Sequence, residues 1–157
     1  MTESGCSHAS RSRMAWLAGY AAVSFLAFPH PIAGRVIDLG IVFAWLAPAL
    51  LLLGLAELRP GRAARLGFMA GLAAHTAIFY WFYVVTVHYG HAPVIAGLAS
   101  PLVPGCYIAA FIAIFATGWA WLVRARLDSP WTAAVWWTAS EYLRSFARFP
   151  QGLPPRQ

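Results

Sequence analysis

Apolar residues in this 157-residue chain gather into long runs separated by short gaps rich in arginine, proline and glycine. Most runs are apolar all round, the pattern of helices that meet hydrocarbon or another apolar helix on every face. The first, Met14–Phe28, follows a polar segment (residues 1–13) that ends in Arg11 and Arg13. As a helix it covers about 22 Å at about 1.5 Å per residue, short of a hydrocarbon core about 30 Å thick. Either Pro29–Val36 completes the crossing, giving a span over residues 14–34, or the bilayer thins locally. A basic stretch before an apolar run also resembles a signal peptide, but no small-x-small cleavage site follows and further spans do.

The second span, residues 36–55, contains Pro48, which removes one backbone donor. Pro60 and Gly61 break the pattern in the loop Glu57–Arg65. A third span, residues 66–89, ends in five consecutive aromatics, Phe79–Tyr83, suited to headgroup level or to packing on neighbouring helices. Ala92–Val123 runs for 32 residues, too long for one straight span. Pro101 and Pro104 divide it into a short interfacial segment and a helix, with the span over residues 101–123. Ser129 and Pro130 suit the cap and first turn of a last, amphipathic helix, residues 131–147. Residues 14–149 thus form the membrane domain, and 150–157 a short irregular tail.

Composition agrees. The chain is 61% hydrophobic and 10% charged, with a mean hydropathy of +0.64, whereas soluble domains are about 45–50% apolar and about 25% charged. A soluble enzyme is excluded, and 8 Trp, 6 Tyr and 10 Phe exclude disorder. The sequence therefore predicts an all-α membrane protein, a bundle of about five transmembrane helices.

All 11 basic residues are arginine, against five acids. They sit in the gaps between spans, which favours topology over nucleic acid as the reason for the charge. With the N-terminus cytoplasmic, Arg11, Arg13, Arg59, Arg62, Arg65, Arg124 and Arg126 lie inside, and only Arg35 lies in an outer loop. That asymmetry follows the positive-inside rule. Arg144, Arg148 and Arg156 then fall outside and do not fit it.

Candidate chemistry is sparse. Gly67-Phe-Met-Ala-Gly71 lets helix backbones approach closely and reads as intrachain packing. His75 lies mid-span, where an ionisable group raises a functional suspicion, yet a neutral imidazole with one hydrogen bond is affordable there. His88 and His91 lack a third ligand, so no metal site is expected. Glu141 and Arg144, spaced i, i+3, share a helix face and can pair. Cys106 has apolar neighbours that leave its thiol unreactive, and Cys6 lies in the polar N-terminal segment; together they make neither a metal set nor a disulfide framework. No catalytic, cofactor-binding or metal-binding residue is assigned.

Several segments, taken in order, resemble a known family. Leu26-Ala-Phe-Pro29, Gly67-Phe68 running into Phe79-Tyr-Trp-Phe-Tyr-Val-Val-Thr-Val-His-Tyr-Gly90, then Trp136-Trp137 and Glu141-Tyr-Leu-Arg144 are similar to the N-terminal membrane region of bacterial apolipoprotein N-acyltransferases. The resemblance covers Met14 to Phe149. It implies a multi-pass bundle in the bacterial inner membrane. It also implies phospholipid acyl chains and a diacylated lipoprotein as partners, with acyl transfer carried by a nitrilase-like domain that uses a cysteine, a glutamate and a lysine. Nothing here matches that domain, and the chain has no lysine. The expectation is a membrane-domain piece, truncated or frameshifted after Arg144, that anchors and positions lipid but is inactive alone. The alternative is a stand-alone membrane scaffold or transporter component.

Overall fold

The computed structural model describes residues 3–32 and 35–146; the tail expected over 150–157, with Arg148 and Arg156, lies outside the described residues. Five helices carry the fold. The first, α1 (Glu3–Ala27), makes the polar N-terminal segment continuous with the apolar run. It stops short of the expected 14–34 span, because Pro29 disfavours helical geometry at Phe28 and has no amide to continue the ladder. Two short antiparallel strands, β1 (His30–Ile32) and β2 (Arg35–Ile37), follow instead, in the register His30↔Ile37, Pro31↔Val36 and Ile32↔Arg35. A two-stranded ribbon tolerates Pro31, since its strands are both edges.

The Asp38 carboxylate accepts the Gly40 amide at 2.8 Å where α2 (Gly40–Leu55) begins. Pro60 opens α3 (Pro60–Tyr89), six residues before the apolar run, as its fixed φ suits a first turn. The helix tightens into a 3₁₀ turn at Phe79–Trp81 and widens into a π turn at Val85–Tyr89. In α4 (Val94–Arg124) a short segment, Val94–Ala99, precedes the main helix Leu102–Arg124, the division expected from the prolines. Ser129 Oγ accepts the Thr132 amide at 3.1 Å, capping α5 (Pro130–Phe146). Among the described residues two helices, α3 and α4, are long and apolar enough to cross a membrane; α2 is apolar but has 16 residues.

Packing proceeds from α1 on α2 and α3, to α3 on α4, to α4 on α5, and the α3–α4 contact is the most extensive. The GxxxG stripe lies in that seam. A β-carbon on Gly67 would come 2.6 Å from Ala116 Cβ, and one on Gly71 3.0 Å from Ile112 Cβ. The intrachain reading of the motif holds, and much of the buried core is correspondingly small: Ala63, Ala70, Ala74, Ala109, Ala116 and Ala120. Small residues at helix contacts suit association in lipid, where close van der Waals packing drives it. Large side chains point the other way: Ile41, Trp45, Ile95 and Trp131 are each more than 80% exposed.

The end of α4 has an unusual residue. The Leu127 amide donates to the Leu122 carbonyl at 2.9 Å and the Arg126 amide to the Val123 carbonyl at 3.1 Å, the paired bonds of a Schellman motif. The position that glycine usually fills is Arg126, with φ of 59°.

Candidate functional site

Polar side chains from three helices converge inside the bundle. On α1, Tyr20, Ser24 and Ala27 recur at i, i+4 and i+7, and on α5 so do Trp137, Glu141 and Arg144, so each set forms one stripe along its helix. With His75 of α3 they line a chamber of about 200 Å³. Tyr20 is buried. His75 Nδ1 lies 2.8 Å from the Gly71 carbonyl, which places the ring proton on Nδ1 and leaves Nε2 of the neutral ring as an acceptor. Glu141 and Arg144 form an ion pair between the Glu141 Oε2 and Arg144 Nη2 atoms, with the two side chains 39% and 34% exposed. The pairing expected from their spacing is present, and one nitrogen of the guanidinium fork carries it.

A second, apolar cavity of about 410 Å³ opens between α2 and α5. Trp45 and Leu52 of α2 and Ala133 and Ala134 of α5 form its sides. It shares three wall residues with the polar chamber: Ala44, Pro48 and Trp137. The two spaces therefore adjoin across these three residues, with the polar side chains in the smaller and mainly apolar ones in the larger. Pro48 has no amide to give the Ala44 carbonyl, so the helical ladder is interrupted at this shared wall.

The cleft stays open because α5 is held by α4 and not by α2. Trp136 Nε1 donates to the Phe115 carbonyl at 2.9 Å. The Trp136 ring also lies directly over Gly118, where a β-carbon would clash with it. Trp137 meets Phe115 edge to face, with ring centroids 4.9 Å apart. Contacts between α2 and α5 are sparse by comparison.

Of the residues singled out by sequence, the fold gathers His75, Glu141 and Arg144 and leaves the others apart. Cys106 is exposed and lines neither cavity. His88 makes a ring contact with Tyr83 near the end of α3, and His91 lies in the following turn with φ of 50°. Among the described residues no three His, Cys, Asp or Glu side chains cluster as a metal set would. Sequence reasoning missed Tyr20 and Ser24; their i, i+4 spacing within an apolar run was the available signal.

Comparison with known proteins places this architecture. Residues 20–153 match the apolipoprotein N-acyltransferase N-terminal domain. The apolipoprotein N-acyltransferase of Geobacter metallireducens is 35% identical over 127 residues, covering 77% of this chain and 22% of that protein. The chain thus spans about a fifth of the length of the curated relative it matches. No solved structure matches it. The matched segment takes in the end of α1 and everything from the β1–β2 ribbon to α5, so the chain belongs to the apolipoprotein N-acyltransferase N-terminal domain family.

Proposed function

We propose that this chain is the membrane part of an acyl-transfer system of the bacterial inner membrane. In this reading all five helices span, the N-terminus is cytoplasmic, and the bundle anchors and positions phospholipid acyl chains for transfer to the amine of a diacylated lipoprotein. The polar chamber and the apolar α2–α5 cavity that adjoins it carry the reading, because an amphiphile needs both kinds of surface side by side. The exposed apolar side chains on α2, α4 and α5 support spanning, and the uneven spread of arginines between alternate gaps, seven against Arg35 alone, supports the orientation. The chain itself supplies no lysine, so the catalytic groups that the family resemblance implies are not all present in these 157 residues.

The purified chain, given phospholipid and a diacylated lipopeptide, is expected to yield no N-acylated product above a vector control. Product above that control would overturn the positioning-only role. The stand-alone transporter reading draws on one observation, that His75 and Glu141 line the same chamber. A transport phenotype on replacing both with Ala would favour it instead.

A further inference from the structure

We infer that the chamber and the α2–α5 cleft together bind one long-chain carboxylate, its head on Arg144 and its chain between the two helices. The inference rests on the lipid-positioning reading for the cleft but names a ligand and a register of its own.

The direction of the site is set by the helices. The chamber lies toward the end of the bundle where α1 stops at Ala27 and where Arg144 stands two residues from the end of α5. From there the cleft follows α5 back to Pro130 and α2 from Ala44 to Leu52. Arg144 to Pro130 is about 21 Å of helix at about 1.5 Å per residue. One leaflet of a hydrocarbon core about 30 Å thick is about 15 Å deep. The cleft is thus longer than one leaflet is deep, and a chain with its head in the chamber runs along α5 past the bilayer centre toward Pro130.

The head is chosen by the balance of donors. Arg144 uses one nitrogen on Glu141 and keeps the remaining N–H groups of a fork whose geometry matches a carboxylate. The hydroxyls of Tyr20 and Ser24 line the same space and hydrogen-bond to each other, which leaves the pair one O–H to donate. Glu141 holds the guanidinium in place. At about 30 Å³ per water, a chamber of about 200 Å³ has room for roughly six waters, enough for a carboxylate and its remaining hydration. The tail meets Trp45, Leu52, Ala133 and Trp137, none of which offers a charge.

The test is photolabelling of the full chain, reconstituted in lipid nanodiscs, by a long-chain fatty acid with a diazirine near its tail, and by the matching alcohol. Labelled residues are mapped by mass spectrometry. The acid is expected to label residues 45–52 and 130–138, to be competed by unlabelled palmitate, and to exceed the alcohol roughly tenfold in apparent affinity, as a charge-assisted bond implies. In the double variant E141Q/R144Q, acid labelling should fall to the alcohol's level. Ala134→Phe, which adds a ring at an exposed wall position, should abolish labelling by both probes, and Ala44→Leu, narrowing the same cleft from α2, should reduce both.

Equal labelling by acid and alcohol in the unaltered chain, label spread evenly over the lipid-facing helices, or a stronger response to a single-chain phosphate amphiphile would each overturn the assignment. None of these measurements involves acyl transfer, so the transfer reading can fail while this one stands, and the reverse.

Discussion

The two sides of α4 meet their neighbours in opposite ways. Toward α3 it presents Ala109, Ile112 and Ala116 to Gly67 and Gly71, and no β-carbon could be added there without displacing a neighbour. Toward the α2–α5 side it presents Phe115 to a space of about 410 Å³. One side of α4 is thus packed closely and the other loosely. A fully tight bundle would have no room for a ligand, and a fully loose one would not hold Tyr20, His75, Glu141 and Arg144 around a common space.

Enlarging a side chain in each place separates the two most sharply. Gly67→Leu forces four heavy atoms into the α3–α4 seam, where overpacking costs roughly 3 kcal/mol or more. Thermal unfolding in detergent, followed by circular dichroism, should show a large loss of stability or no folded protein; a near-native transition would mean the seam is not the main support. An intermediate effect is expected at the ion pair. Arg144→Gln leaves Glu141 without its partner and should cost about 1 kcal/mol, discounted because both groups are about a third exposed. E141Q/R144Q should recover most of that, since no charge is left unpaired. A double variant worse than the single would show that the pair does more than neutralise itself. The smallest effect belongs to Ala44→Leu, which enlarges an exposed wall of the cleft and should change stability by no more than about 0.5 kcal/mol. A large loss there would mean that the cleft is packed more tightly than its volume implies.

Much of this architecture was legible because apolar runs, prolines and caps act locally. Pro101 and Pro104 divided α4, Ser129 and Pro130 started α5, and Gly67 and Gly71 marked a close contact. The β1–β2 ribbon was not legible, because Pro29 and Pro31 in an apolar context suit the end of a span as well as a strand edge. The chamber was half legible. The i, i+3 spacing of Glu141 and Arg144 announced their pairing, but Tyr20 and Ser24 lie more than a hundred residues away in sequence. Only the order in which the helices pack brings the two stripes together, and no local pattern encodes that order.

Arg126 puts two demands on one residue in conflict. Its place at the end of α4 is one where glycine would relax the backbone, and an L-residue in the left-handed region costs roughly 1–2 kcal/mol. Arginine there keeps a fixed positive charge one residue past the helix cap, at the end of the helix where the unpaired carbonyls favour a cation. Glycine would give a more relaxed turn but would take that cation away from the carbonyl end of α4.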